Sequence, residues 1–201
     1  MDKHSFFSLS FVRFGHAPQH GLSLIEVLMV LAIMGIVAGV GGLGLLKDLP
    51  DYRLKSAVRE LVSNMQWARV EAINRNMSCR VVFDVGHPRY AISLDNGADD
   101  DWSTIGDNDN LRVVSLSDYQ SGVDFGNGNA NFDATADQGS IPGDFVSYDS
   151  NRATFNSRGI SQGDDVYYVY IENEQNNVYA VGSSPTGAII IRRWQGSDWS
   201  D

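Results

Sequence analysis

One cysteine is all the chain has: Cys79 cannot close an intrachain disulfide, so the fold is not a disulfide scaffold. Histidine is scarce, and His4, His16 and His20 lie within the first 21 residues, which leaves His87 for the rest. Net positive charge is missing too. The formal net charge is −10, and setting aside residues 1–21, which carry Lys3 and Arg13 against Asp2, leaves −11. A field of that sign opposes generic binding to nucleic acid and to anionic lipid surfaces, while local basic spots remain compatible with it. No Walker loop, no dinucleotide-binding glycine fingerprint and no internal repeat occurs.

The absence with the largest consequence is that of charge between residues 27 and 46, where twenty apolar or glycine residues follow one another. A helix of that length rises about 30 Å, enough for the hydrocarbon core of a bilayer, so a single transmembrane helix is expected. A buried core helix of this length without polar residues is rare in soluble domains. Ordinary signal-peptide removal does not fit, because the run exceeds the usual ~7–15 residues and lacks an A-x-A-like exit. Lys3 and Arg13 precede the run and an acidic body follows it, which places the N-terminus in the cytoplasm and the body outside. Glu26 stands at the entrance of the run. A carboxylate there either sits at headgroup level, favoured by the helix dipole, or needs a cation from elsewhere.

The stretch Gly21-Leu22-Ser23-Leu24-Ile25-Glu26-Val27 resembles the type III signal of type IV pilins and type II secretion pseudopilins. That pattern is a basic leader, a glycine, a hydrophobic first mature residue, and glutamate at the fifth mature position ahead of a long apolar helix. The resemblance implies that a prepilin peptidase cuts between Gly21 and Leu22 and that Leu22 becomes N-methylated. It also implies that Glu26 pairs with the N-terminal amine of a neighbouring subunit. A pair within one chain, Leu22 amine to Glu26, is geometrically allowed as well.

Glycines 35, 39, 41, 42 and 44 weaken the second half of the apolar run, and Pro50 then removes a backbone donor. Two readings stay open: close packing of small residues against neighbours, or a segment that stretches or melts when subunits pack. From residue 51 to 76, apolar residues recur at Leu54, Val58, Leu61, Met65, Ala68 and Ala72, the pattern of an amphipathic helix. Joined to the apolar run it would make a stem of about 55 residues, or ~80 Å if continuous.

Beyond residue 76 the period becomes two. Residues 79–84 (CRVVFD) and 90–95 (YAISLD) flank the hairpin signal Gly86-His87-Pro88-Arg89, and 111–116, 145–148, 152–155, 166–171, 177–181 and 188–194 are further strand candidates. The segments 96–110 and 122–143, rich in Asp, Asn and Gly, are expected to be loops. The class is therefore α+β: a long N-terminal helix followed by a mainly antiparallel sheet. The expected division is a cleaved leader at 1–21, a transmembrane helix with a flexible junction at 22–50, an amphipathic stem at 51–77 and a periplasmic β-rich domain at 78–201.

The body is similar to the GspH/FimT group of minor pseudopilins and minor pilins, on residues 79–84, the segment Arg152-Ala153-Thr154-Phe155-Asn156-Ser157-Arg158-Gly159, and the Ser184-Pro185-Thr186-Gly187 turn before 188–193. This resemblance implies a non-enzymatic subunit of the bacterial inner membrane with other pilins or pseudopilins, the prepilin peptidase and an inner-membrane assembly platform as partners. It would serve in a tip complex of a type II secretion pseudopilus; a FimT/FimU-like minor pilin that contacts DNA during uptake is the alternative. No cofactor is implied. Arg192 and Arg193 could touch phosphates, but the DNA-binding motif known in some FimT-like pilins starts with glycine followed directly by arginine, and here Ala188 follows Gly187. Nucleic acid is therefore not expected as a partner. Asp99, Asp101, Asp107 and Asp109 are the candidate calcium ligands, yet their spacing does not fit an EF-hand and a solvated acidic loop is the better reading. A Cys79/His87 nucleophilic pair is formally conceivable. Strand parity, however, groups Cys79 with Val81 and Phe83 as a core thiol, and His87 sits in a turn.

Overall fold

The computed structural model describes residues 21, 23–94, 105–106 and 108–200; the side chains of 38 and 40–46 lie outside the description. Helix α1 runs Leu24–Arg75. Its start is written locally. Ser23 occupies the N-cap, its carbonyl accepting the backbone N–H of Glu26 at 3.0 Å and of Val27 at 3.2 Å. Ser23 and Glu26 have capping-box spacing, and the Glu26 carboxylate falls in the first turn, where the helix dipole favours it. The other end is a Schellman motif. Asn76 takes φ 54°, its N–H reaches the Ile73 carbonyl, and the Met77 N–H reaches the Ala72 carbonyl.

The junction expected near Pro50 is not a break in α1, which continues through that residue. A proline inside a helix costs roughly 3 kcal/mol. The tertiary packing that begins at Leu54 is what offsets it, because that face of the helix is fully buried. The span expected over 27–46 includes positions whose side chains are not described, and among the described residues no helix is long and apolar enough to cross a membrane.

The chain divides into two compact units, Met1–Gly44 and Leu45–Asp201. In the first, the large apolar side chains described from Leu24 to Val37 are exposed on every side of the helix, from 44% at Val27 to 78% at Leu24. In the second, all strand pairs are antiparallel and form two sheets rather than one. The first has the order β3 (Asn110–Ser115), β2 (Arg89–Ser93), β1 (Cys79–Asp84), β5 (Arg152–Phe155). The other has the order β4 (Asp124–Phe125), β6 (Tyr167–Glu172), β7 (Val178–Ser183), β8 (Ile189–Trp194), β9 (Trp199–Ser200). The α+β class holds.

Period-two alternation selects which side chains meet the helix. Cys79, Val81 and Phe83 of β1, Tyr90 and Ile92 of β2, Ala153 and Phe155 of β5, Val169 and Ile171 of β6, and Tyr179 and Val181 of β7 form one core with Leu54, Val58, Leu61, Met65, Ala68 and Ala72 of α1. The alternate residues of the second sheet, Tyr168, Tyr170, Val178, Ala180 and Trp194, form a separate core on its outer face.

Segment 122–143 is loop, as expected, apart from the two-residue β4; it lies over the second sheet with Ala130 and Ala134 buried. Three bonds to backbone groups hold it there: Tyr170 Oη accepts the Ala134 N–H at 2.9 Å, Trp199 Nε1 donates to the Phe132 carbonyl at 3.0 Å, and Arg192 Nη1 donates to the Ala134 carbonyl at 3.0 Å. Short apolar residues scattered among Asp and Gly carry no period, so the cover was not visible in the pattern. Residues 145–148 make an isolated bridge, Val146 to Val169, in place of a strand. Phe145 sits at φ 63°, outside the β region, and breaks the run.

Candidate functional site

Two regions carry the residues singled out by sequence. The first is the start of α1. Gly21 precedes the helix without regular secondary structure, Leu22 lies outside the described residues, and Glu26 is exposed in the first turn among exposed apolar side chains. A helix apolar all round is stable only inside a core or a membrane. The described large apolar side chains from Leu24 to Val37 are exposed in this structure.

The second region lies at the end of α1. The turn after β5 and the turn between β7 and β8 are the two segments on which the resemblance of the body rests, and they meet on one side chain. Arg69 donates through Nε to the Gly159 carbonyl at 2.8 Å and through Nη2 to the Thr186 carbonyl at 3.4 Å. The glycines at that junction are required. Gly159 has φ 72° and Gly187 φ 81°, and a Cβ on Gly187 would stand 2.1 Å from the Gly159 carbonyl oxygen. A Cβ on Gly159 would meet Ile73 Cδ1 at 2.7 Å. Helix and both sheets are thus pinned at one point by backbone acceptors.

A polar cluster, buried at Asn64 and Tyr90, lies one turn earlier. Asn64, 1% exposed, donates to Tyr90 Oη at 2.8 Å and accepts from Arg112 Nη1 at 2.7 Å, while the Tyr119 hydroxyl donates to the Glu60 carboxylate. Burial pushes the Tyr90 hydroxyl well above its usual range, so it stays a neutral acceptor and donor. Sequence inspection missed Arg69 and Asn64: neither belongs to the apolar series Leu54 to Ala72, and the one available signal was the set of glycines opposite Arg69.

The remaining candidates are not gathered into a reactive site. Arg192 and Arg193 are neighbours on β8 and point to opposite faces of the sheet. Arg192 reaches the Ala134 carbonyl, whereas Arg193 stacks over the Tyr179 ring and faces Asp51 Oδ1 at 3.7 Å. They do not form one phosphate clamp. Asp99, Asp101 and Asp107 fall outside the described residues, and the Asp109 carbonyl accepts the Leu94 N–H at 3.0 Å. Among the described residues no group of three His, Cys, Asp or Glu side chains could hold a metal ion. Cys79 is fully buried at the start of β1, and desolvation pushes its thiol up to about 11. His87 sits beyond the other end of that strand, its Nδ1 3.3 Å from Asp84 Oδ2. Residues 79 and 84 are separated by about 17 Å of strand, so the thiol and the imidazole are not a pair.

The family model of the type II transport protein GspH matches residues 57–187, and that of the prokaryotic N-terminal methylation motif matches residues 17–42. The chain belongs to the GspH family. The match spans Arg69, Gly159 and Gly187 and ends before Arg192 and Arg193, while the methylation motif contains Gly21 and Glu26. No curated protein gives a significant match. Among solved structures, this GspH-family chain is similar to the minor pseudopilin EpsH from the type 2 secretion system of Vibrio cholerae, with 14% identity, a TM-score of 0.43, and 69% of this chain and 95% of that one covered. It is also similar to the type IV minor pilin FimU of Pseudomonas aeruginosa, with 16% identity, a TM-score of 0.44, and coverage of 75% and 95% respectively.

Proposed function

We propose that this chain is a minor pseudopilin, a structural and non-catalytic subunit that joins the tip complex of a type II secretion pseudopilus after cleavage by a prepilin peptidase. The observation that carries this is the Gly21 to Glu26 signal placed directly before an apolar helix whose described side chains the chain itself leaves exposed. The cut falls between Gly21 and Leu22, and Leu22 is then methylated. Before assembly the segment crosses the inner membrane once, with the N-terminus cytoplasmic and the sheet domain periplasmic. In the filament the same side chains pack against the helices of other pilin-like subunits, and Glu26 meets a neighbour's terminal amine, which neutralises a carboxylate that hydrocarbon would otherwise penalise. The division that follows is 1–21 leader, 22–50 anchor, 51–77 stem and 78–201 periplasmic domain. An inner-membrane assembly platform is a further partner, and the energy for assembly comes from another protein.

Mass spectrometry of the N-terminus of membrane-derived protein tests the central step. A chain starting at methylated Leu22 is expected; an intact Met1 or a cut after Leu46 overturns it. Glu26→Val separates processing from assembly, because the variant should be cleaved normally and recovered poorly in sheared filaments. Loss of secretion, rather than of a surface pilus, on deletion of the gene distinguishes the pseudopilus from the FimT/FimU-like alternative.

A further inference from the structure

Strand β3 is an open edge: among the described residues its one sheet neighbour is β2. Leu116 donates its backbone N–H to the Pro88 carbonyl at 2.8 Å. In an antiparallel ladder this alternation turns the backbone groups of Val114 and Arg112 toward β2 and those of Val113 and Ser115 toward the open side. Natural edges are commonly blunted by lysine or proline, and β3, reading NLRVVS, has neither. Its one charge, Arg112, is turned to Asn64.

Beside this edge, on the side of α1, lie two hollows that share Arg112. One, of about 420 Å³, is lined by Glu60, Asp118, Tyr119 and residues 112–115. The other, of about 500 Å³, is lined by Ser63, Asn64, Trp67, Leu111 and Arg112. Their walls are set in place, since Tyr119 bonds Glu60 and the Asn64–Tyr90 pair fixes Arg112. Trp67 remains 37% exposed at the rim and Val113 48% exposed on the strand.

We propose that this groove receives an extended segment of a partner protein, which adds to β3 as a further strand and places a basic side chain beside Glu60 and Asp118 and an apolar one against Trp67. Main-chain bonds to Val113 and Ser115 supply affinity, and the two hollows supply selectivity. The hollows meet at Arg112 and their centres lie about two residues apart along β3, an even step, so the two side chains fall on one face of the added strand. Charge selects the occupant. The Glu60 and Asp118 end carries two carboxylates, with Arg112 held at the boundary by Asn64, which favours a cationic partner. A second copy of this chain is disfavoured by repulsion between two molecules of net charge −10. This surface is distinct from the exposed N-terminal helix and does not depend on which machine the subunit serves.

The test uses the full chain in detergent micelles and a capped octapeptide, Thr-Leu-Thr-Val-Thr-Lys-Thr-Val, with a control that carries Glu in place of Lys. Saturable binding is expected by fluorescence anisotropy, together with amide exchange slowed at least ~tenfold at Val113 and Ser115 by NMR. The Glu-bearing peptide should bind ~tenfold more weakly or worse, and the double variant Glu60→Gln, Asp118→Asn should lose most of that discrimination with its spectrum otherwise unchanged. Val113→Pro, which removes an outward donor that β2 does not use, should abolish binding. Absence of saturable binding, equal affinity for both peptides, unprotected amides at Val113 and Ser115, or concentration-dependent protection without peptide would each overturn the proposal.

Discussion

Residues 24–37 and 54–72 belong to the same helix and bury their apolar side chains in different ways. From Leu54 to Ala72, apolar residues fall on one stripe, and the sheets of the same chain cover it completely. From Leu24 to Val37 they occupy the whole circumference, and the described large ones stay exposed. A stripe can be covered by one sheet domain; a full circumference cannot, and needs a solvent of lipid or a ring of other helices. Along one helix the hydrophobic pattern changes from all-round to one-sided near Pro50, which fits the two environments proposed for it.

The largest effect that would break this comparison is on the stability of the body. Leu61→Ala, at a site with no exposure, should cost about 2–5 kcal/mol in denaturant unfolding of the sheet domain, whereas Leu31→Ala should change it by less than about 0.5 kcal/mol. Equal costs would mean that the apolar half is buried within the chain after all. Next in size is the pin at the end of the stripe. Gly187→Ala has to relieve a 2.1 Å approach at positive φ and should cost about 2–3 kcal/mol, with Arg69→Ala near 1.5 kcal/mol because its guanidinium is half-exposed. Chemical denaturation of both variants checks the order.

The smallest effect depends on pH. Burial favours the neutral thiol of Cys79 and raises its value from the ordinary 9.0 to about 11. The stabilisation is therefore complete below pH 9 and is lost as pH rises from 9 through 11, where the folded state resists giving up a proton that the unfolded chain releases. Relative to Cys79→Ala, the wild-type chain should lose roughly 1–3 kcal/mol more between pH 8.5 and 11. Parallel stability curves for the two proteins would place the thiol in a wetter site than its burial implies.

Local rules were enough for much of this molecule. The Gly21 to Glu26 spacing, the uncharged run, the stripe from Leu54 to Ala72 and most strands of both sheets follow from residue type and period, because each depends on neighbours a few positions away. The positions of Cys79 and His87 at opposite ends of a strand were readable for the same reason. Only the tertiary structure decided that the strands divide between two sheets, that residues 126–143 cover the outer face of the second, that Arg192 and Arg193 face apart, and that Arg69 ties two turns 90 and 117 residues away to the helix. Those outcomes rest on contacts between distant segments, where the partner of a buried carbonyl or a ring edge is set by how whole elements pack and leaves no period in the sequence.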